Sequence, residues 1–206
     1  MIMGIGVNSS FYNPRNRMVV CDYFKRADNA STLGKSDNNL TWTPVNGTWG
    51  IQGGKAMSLT KVHNDICTIN STNSPFVLTY TAKGTLTSSV TFSIPSSILK
   101  YIDPSNFIQL TFTSTSIVLN KKDTDTFYSL ATYTLTTQDN FDYNFRIEYT
   151  NDKITIYNNG LLIINYSLTT AEQTKYSSAT KAGIRLQHAN TPALEASFSK
   201  FIIEKL

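Results

Sequence analysis

Short runs of β-favouring residues, separated by turn-forming residues at intervals of roughly ten, extend from Val19 to the C-terminus. Thr, Tyr and Phe are frequent in these runs, and such residues fit the pleated surface of a sheet. A parallel α/β fold would need crossover helices between its strands, and the sequence has no helical pattern of that length. The pattern therefore predicts an all-β fold, a two-sheet antiparallel sandwich of the jelly-roll type.

The predicted strands are short, and most are bounded by Gly, Pro, Asn or Asp. Alternation is clearest in the strand from Tyr143 to Tyr149, where aromatic and aliphatic side chains occupy every second position and therefore share one face. The predicted strands are Val19–Phe24, Trp49–Gln52, Ala56–Leu59, Ile66–Ile69, Phe76–Ala82, Ser88–Ile94, Phe107–Thr113, Ser116–Asn120, Tyr128–Leu135, Tyr143–Tyr149, Lys153–Asn158, Leu161–Tyr166, Ala182–Leu186 and Ala196–Ile203.

Asn159-Gly160 lies between two apolar runs and predicts a tight hairpin, because a type I′ turn needs positive φ at both central residues. Two short helical turns are also predicted. One covers Pro95–Tyr101. The other covers Thr169–Tyr176, where the spacing of Thr169 and Glu172 is typical of a capping box.

Length and charge restrict the classes of partner. The 206 residues suit one large β domain, and we expect it to span residues 19–206. The net charge is only +4, and the densest basic groups are the pairs Arg15 with Arg17 and Lys121 with Lys122. Such pairs are too small for a nucleic-acid-binding face, so no nucleic-acid partner is expected. No run of 18 apolar residues occurs, so no membrane span is expected either.

Residues 1–18 show no clear hydrophobic period, and we expect them to form an N-terminal arm that serves as an anchoring segment. The first residues lack the features of a secretion signal, which predicts synthesis in a cytoplasm. Cys21 and Cys67 each lie in an apolar run and are expected to be buried reduced thiols. The sequence does not decide whether the two cysteines pair.

Two blocks of residues are distinctive. The first is Asp22-Tyr23-Phe24-Lys25-Arg26-Ala27-Asp28-Asn29, and it continues through Leu33-Gly34, Trp42 and Gly47-Thr48-Trp49-Gly50-Ile51. The second comprises the Tyr143–Ile147 strand, the Asn159-Gly160 hairpin, Gly183-Ile184-Arg185 and a final Phe198–Ile203 strand. Together they resemble the concanavalin A-like (laminin-G-like) jelly-roll domains of bacterial surface proteins and of phage tail and virion proteins. The resemblance covers residues 19–206 and implies a concanavalin A-like sandwich.

The resemblance implies structural roles for residues of the first block, namely Asp22, Phe24, Arg26, Asp28, Trp42 and Trp49. We expect Asp22, Arg26 and Asp28 to form a salt bridge that fixes the first strand and its turn. The two tryptophans could stack on a sugar ring, but their position in the motif favours burial in the core.

A ligand site is predicted at Tyr157, Arg185 and His188, which lie on or beside late strands and combine an aromatic face with polar donors. The alternative is that all three are ordinary surface residues. His63 and His188 each lie near asparagine in loop-like segments, which predicts exposed side chains.

No catalytic residue is predicted. A glycosidase needs two carboxylates, and the glutamates do not form the Glu-x-Asp-x-Glu pattern of glucanases with a concanavalin-like fold. Asp123 and Asp125 alternate suitably, but they belong to the polar stretch Lys121–Thr126, which is predicted as a solvated loop. The same pair could bind calcium with backbone oxygens, although no further ligand is identifiable. No cofactor is therefore predicted.

Three hypotheses follow. The first is a non-enzymatic phage virion protein (a decoration, fibre-associated or tail component) whose arm binds other virion proteins or copies of itself, with adhesion to host glycans as an added role. The second is a free-standing bacterial lectin or carbohydrate-binding module. The third, an enzyme acting on glycans, lacks the pair of acids that it would need.

Overall fold

The computed structural model describes residues 17–60, 64–86, 92–136, 138, 141–189 and 195–206. The predicted arm lies outside these residues, except for Arg17 and Met18. The backbone oxygen of Arg17 accepts a hydrogen bond from Lys205 N at 2.8 Å, and Met18 begins the first strand.

In the described part of the chain, the elements follow in an order dominated by strands, with one short helix near the C-terminal end. They are β1 (Met18–Asp22), β2 (Trp42–Asn46), β3 (Trp49–Gln52), β4 (Lys55–Ser58), β5 (Asp65–Asn70), β6 (Phe76–Lys83), β7 (Thr85–Leu86), β8 (Phe92–Asp103), β9 (Asn106–Phe112), β10 (Ser116–Asp123), β11 (Thr126–Thr134), β12 (Asp142–Tyr149), β13 (Lys153–Asn158), β14 (Leu161–Ser167), α1 (Thr170–Tyr176), β15 (Lys181–Ala189) and β16 (Ser197–Lys205).

The strands form two antiparallel sheets. Sheet I has the order β14-β13-β12-β6-β16-β4-β3, with β1 also paired to β16. Sheet II has the order β11-β10-β9-β8-β15-β5-β2, with β7 also paired to β8. The predicted two-sheet antiparallel sandwich is therefore confirmed.

One hydrophobic core fills the space between the sheets. Its centre is aromatic: the Tyr80 and Phe145 rings stack at 5.0 Å, and those of Phe76 and Tyr149 stack at 5.2 Å. These side chains come from β6 and β12, where every second residue faces inward. Burial of so much apolar surface is the main force that holds the two sheets together.

Several local predictions are confirmed. In β12, Tyr143, Phe145 and Ile147 are buried, whereas Asn144 and Arg146 are exposed. Asn159 and Gly160 have φ values of 48° and 82° and join β13 to β14 in the predicted tight hairpin. Helix α1 begins with the predicted capping box of Thr169 and Glu172.

The helical turn predicted for Pro95–Tyr101 is wrong, because these residues form the middle of β8. Strand β8 is paired with β15 on one side and with β7 and β9 on the other, and this pairing overrides local preference. On the second side the pairing with β7 reaches Ser93 and the pairing with β9 starts at Ser96, so Pro95 falls in the gap between them. A proline fits there because it has no N–H to donate.

Three other segments also differ from prediction. Strand β2 was not predicted, because it contains Pro44 and proline disfavours a central strand. Proline is tolerated here since β2 lies at the edge of sheet II. The stretch predicted as a loop, Lys121–Thr126, is the end of β10, a turn at Thr124-Asp125 and the start of β11. The predicted strand Ser88–Ile94 lies partly outside the described residues, and its last three residues open β8.

Both cysteines are free thiols, as predicted. Cys67 is buried in the core and Cys21 is half-buried. Burial raises the pKa of both thiols above the ordinary value.

Candidate functional site

The Asp22–Arg26 corner forms where β1 ends and the chain turns. Arg26 donates from Nη1 to Asp22 Oδ1 at 2.7 Å and from Nη2 to Asp22 Oδ2 at 3.0 Å, which is a bidentate ion pair. The Asp22 carboxylate is buried and also accepts hydrogen bonds from Trp42 Nε1 at 2.7 Å and Phe24 N at 2.7 Å. All of these groups are satisfied within the protein, so the corner holds the fold together.

Asp28 does not belong to this salt bridge, contrary to prediction. It lies on the surface and accepts a hydrogen bond from Gly53 N at 2.8 Å. Trp42 and Trp49 are both buried, and the indole of Trp49 donates to the backbone oxygen of Asn46 at 3.2 Å. Neither indole has a face free to stack on a sugar.

The structure divides the predicted ligand residues between two sheets. Tyr157 lies on β13 of sheet I, whereas Arg185 and His188 lie on β15 of sheet II. His188 is buried, contrary to the predicted exposure, and its Nδ1 lies 2.9 Å from Ser93 Oγ on the paired strand β8. Because side chains alternate along a strand, His188 and Arg185 point to opposite faces of the sheet. His63 lies outside the described residues.

Tyr157 lines a shallow groove of about 540 Å³ on the outer face of sheet I. The Arg146 guanidinium lies 5.5 Å from the centre of the Tyr157 ring, and Arg146 forms an ion pair with Glu148. Asn144 accepts a hydrogen bond from Thr81 Oγ1 at 2.7 Å. The charge of Arg146 in this groove is neutralised by Glu148, and both side chains are accessible to solvent.

Arg185 lies on the outer face of sheet II and is only 3% exposed. Its Nη1 donates to Gln109 Oε1 at 3.2 Å, and its Nη2 donates to Asn64 Oδ1. Burial lowers the pKa of the guanidinium to about 10. A large polar side chain buried on the outside of a sandwich is unusual and indicates that this face encloses it.

Sheet II is curved around Arg185. The Phe127 ring on β11 lies 5.3 Å from the Arg185 guanidinium, although three strands separate β11 from β15. In a flat sheet, the backbones of these two strands would lie about 19 Å apart. The two side chains span part of that distance and curvature of β11 toward the centre of the sheet accounts for the rest, and we call the concave outer face that results the cleft.

Aromatic side chains form one wall of this cleft. The rings of Phe107 and Phe127 meet edge to face at 5.9 Å, and Phe107 stacks on Tyr101 at 6.3 Å. Phe127 is 45% exposed, whereas Phe107 and Tyr101 are buried. The Lys122 ammonium group lies 5.7 Å from the Phe127 ring. The cleft thus presents an accessible aromatic ring next to Lys122, whereas the Arg185 and Gln109 side chains are buried beneath its surface.

The sequence prediction missed Asn64, Gln109, Lys122 and Phe127. The alternation in β9 carries a signal for one of them, because Ile108, Leu110 and Phe112 face the core and Gln109 must then face outward. That Gln109 meets Arg185 depends on the pairing of β8 with both β9 and β15, which no local pattern specifies.

The carboxylates of Asp123 and Asp125, which were considered for catalysis or calcium binding, form ion pairs with lysines. Asp123 accepts from Lys175 Nζ at 2.6 Å, and Asp125 forms an ion pair with Lys122 at 2.9 Å. Hydrogen bonds from these lysines lower the pKa of both carboxyl groups. Within the described ranges, no cluster of three or more His, Cys, Asp or Glu side chains could hold a metal ion.

Lys100, a second buried cation, lies at the end of the sandwich beside a groove of about 410 Å³. It is 1% exposed, and its Nζ donates to the backbone oxygens of Thr72 at 3.0 Å and Ala179 at 3.1 Å. The ammonium group also lies over the stacked rings of Phe76 and Tyr149, at 5.3 and 5.1 Å. Burial lowers the pKa of this lysine to about 8.

Among the described residues, no helix is long and apolar enough to cross a membrane. No protein-family model matches the sequence, and no curated protein is similar to it in sequence.

Solved structures with the same architecture are numerous. The carbohydrate-binding module CBM66 from Bacillus subtilis superposes with a TM-score of 0.64 at 16% identity, over 80% of this chain and 95% of that module. The carbohydrate recognition domain of Emp47p gives 0.65 at 12% identity, over 94% of this chain and 99% of that one. The binding domain of botulinum neurotoxin serotype C1 gives 0.58 at 12% identity, over 93% of this chain and 49% of that one.

At such low identity these likenesses establish the fold, since one fold can serve many functions. Two antiparallel sheets with this topology and these neighbours confirm the architecture that the Asp22–Ile51 block predicted. The chain has the concanavalin A-like jelly-roll fold.

Proposed function

We propose that this protein is a non-catalytic carbohydrate-binding domain and that it binds its glycan in the concave cleft of sheet II. The exposed Phe127 ring beside the partly exposed Lys122 ammonium group is the observation that carries the proposal. Sugar rings have an apolar face that packs on an aromatic ring and hydroxyl groups that need polar partners. Ligand sites commonly combine an apolar surface with a few fixed polar groups in this way.

The fold neighbours support the same class of ligand, because two of them are described as carbohydrate-binding or carbohydrate-recognition domains. This agrees better with the lectin or carbohydrate-binding-module hypothesis than with a virion protein. The virion role stays a prediction, because the arm on which it depends falls almost entirely outside the described residues.

The groove around Tyr157 is the weaker candidate on the same molecule. Its arginine, Arg146, is exposed and already paired with Glu148, and the guanidinium lies 5.5 Å from the centre of the Tyr157 ring. An exposed, satisfied pair offers a ligand little gain, since water and the partner already solvate the charges.

The test compares two neighbouring aromatic residues on β11. Phe127 and Tyr128 are exposed to similar degrees, 45% and 48%, but they point to opposite faces of the strand. A glycan array first identifies the ligand that binds best, and calorimetric titration then measures its affinity for the wild type and both variants. We expect Phe127→Ala to weaken binding roughly fivefold or more, about 1 kcal/mol, because the stacking surface is lost.

Tyr128→Ala is the control, and we expect its affinity to stay within about twofold of the wild type. Equal loss in both variants would place the glycan elsewhere on the molecule. A folded wild-type protein that binds no glycan on the array would overturn the proposed function.

A further inference from the structure

The Phe127 ring lies on the edge strand of sheet II, and three side chains pack against it. Phe107 meets the ring edge to face at 5.9 Å, and the Lys122 ammonium group lies 5.7 Å from its centre. The Arg185 guanidinium lies 5.3 Å from the same centre. Arg185 is 3% exposed and Phe127 is 45% exposed, so the guanidinium supports the ring from beneath.

The guanidinium is itself fixed on both of its terminal nitrogens. Its Nη1 donates to Gln109 Oε1 at 3.2 Å, and its Nη2 donates to Asn64 Oδ1. Gln109 is 2% exposed and lies on β9, so this acceptor is held within the sheet. Because the planar fork of an arginine must satisfy both acceptors at once, its orientation is restricted. Arg185 is therefore a rigid support for the ring.

The use of a charged residue as this support is costly. Every ion pair found in the described part of the chain involves another cation, so no described carboxylate compensates the charge of Arg185. A buried charge without a counter-charge destabilises a fold, because the protein interior solvates it less well than water does. The negative face of an aromatic ring attracts a cation, and the attraction is stronger where water is excluded. A departure of this kind from economical packing is expected at functional sites.

We propose that Arg185 is a positioning residue for the glycan site and holds the Phe127 ring in a single rotamer with its outer face open to a sugar. A stacking surface that is fixed before the ligand arrives removes the entropic cost of ordering that side chain on binding. The inference rests on the proposed function, because it concerns the ring that stacks on the glycan. Arg185 acts through Phe127 and makes no contact with the ligand.

The order of the ring is measurable without any ligand. In isotope-labelled protein, three-bond NMR couplings from the Phe127 backbone nitrogen and carbonyl carbon to Cγ report the populations of the χ1 rotamers. We expect one rotamer in the wild type and averaging over several in Arg185→Met, which keeps an unbranched side chain but removes the planar cation. Arg146→Met is the matched control, because Arg146 lies 5.5 Å from the Tyr157 ring on the other sheet and its loss changes the net charge equally. It should leave the Phe127 couplings as in the wild type.

Binding is then measured by calorimetric titration with the oligosaccharide that is selected on the array for the Phe127→Ala comparison. Arg185→Met should weaken its affinity roughly three- to tenfold, which corresponds to the ordering of one side chain. In the Phe127→Ala background the same substitution should change affinity by less than about twofold, because no ring remains to be positioned. Arg146→Met should also stay within about twofold of the wild type.

Arg185→Lys is a second variant, which keeps the charge but lacks the planar fork that reaches both amide oxygens. We expect rotamer populations and affinity between those of the wild type and Arg185→Met. Thermal unfolding verifies that each variant is folded.

The outcomes separate the two proposals. Equal Phe127 couplings in the wild type and in folded Arg185→Met would overturn the positioning role and leave the carbohydrate function standing. A loss of affinity that is as large in the Phe127→Ala background would also overturn it, because Arg185 would then not act through the ring. Absence of binding to every array glycan by the folded wild type would overturn the proposed function and the positioning role with it.

Discussion

Arg26 and Arg185 occupy similar positions relative to a phenylalanine but differ in their electrostatic partners. The Arg26 guanidinium lies 5.5 Å from the Phe24 ring, and that of Arg185 lies 5.3 Å from the Phe127 ring. Arg26 forms a bidentate ion pair with the buried Asp22 carboxylate. Arg185 has only two neutral amide oxygens.

The difference separates an arginine whose charge is compensated within the chain from one whose charge is not. At the Asp22–Arg26 corner the charges cancel, and each buried polar group has a partner within the chain. Beneath the concave cleft the charge of Arg185 has no counter-charge among the described residues. An aromatic neighbour is common to both sites, so it does not distinguish their roles, whereas the presence of a carboxylate does.

The largest effect is expected from Arg26→Met, which should lower the free energy of unfolding by about 3 kcal/mol. The substitution keeps much of the side-chain volume but leaves the Asp22 carboxylate buried without its cation. Urea denaturation of the variant and the wild type measures the difference.

Lys25→Met is the matched control, because Lys25 is the exposed neighbour of Arg26 and makes no ion pair among the described residues. We expect it to change stability by less than about 0.5 kcal/mol. A similar small effect for Arg26→Met would show that the corner is not a structural unit.

An intermediate effect on stability is expected at Lys100. Like Arg185, this residue forms no ion pair with a described carboxylate, but unlike Arg185 it can lose its proton within the accessible pH range. Its pKa is about 8 in the folded protein, against 10.5 for an unperturbed lysine. Between these values the unfolded chain binds more protons than the folded chain, so the contribution of Lys100 to stability rises as pH increases through 8 toward 10.

We therefore expect the stability of the wild type relative to Lys100→Met to rise by about 1 to 2 kcal/mol from pH 7 to pH 10. Titration of the thiols and tyrosines is common to both proteins and cancels in the difference. Denaturant unfolding at several pH values provides the measurement. A difference that is constant with pH would show that the ammonium group is as well solvated in the fold as in water.

The smallest effect on stability is expected from Arg185→Met, below about 1 kcal/mol in either direction. The substitution removes hydrogen bonds to Gln109 and Asn64, but it also removes a buried charge, and the two changes oppose each other. The same denaturation experiment used for Arg26→Met provides the comparison. A loss of 3 kcal/mol or more would make Arg185 a structural residue and remove the contrast between the two arginines.

Local patterns predicted most of the strands, because alternation of apolar residues and turn residues such as Asn159-Gly160 act over a few positions. They failed at Pro95–Tyr101, where pairing with strands distant in sequence decides the conformation. The resemblance supplied the identity of the Asp22–Arg26 corner, whose residues lie within one short block, although it did not separate Asp28 from them.

The cleft was predictable only in part. Arg185 was singled out, but its partners Gln109 and Phe127 belong to strands that lie more than fifty residues earlier in the chain. Their meeting depends on the register of β8, β9 and β10 and on the curvature of sheet II. Neither register nor curvature is encoded by the period of a single strand. Tyr157 was grouped with Arg185 because both lie on late strands and combine an aromatic face with a polar donor, but those strands belong to different sheets.

The position of the last two strands has a consequence for how the chain reaches its native state. Strands β15 and β16 are the final ones in sequence, yet each lies inside a sheet, β15 between β8 and β5 and β16 between β6 and β4. During synthesis, β5 and β4 therefore each have one edge whose pairing strand is made more than a hundred residues later. Such long-range closure slows folding and leaves strand edges open to other chains, so assistance by a chaperone should matter most before β16 leaves the ribosome.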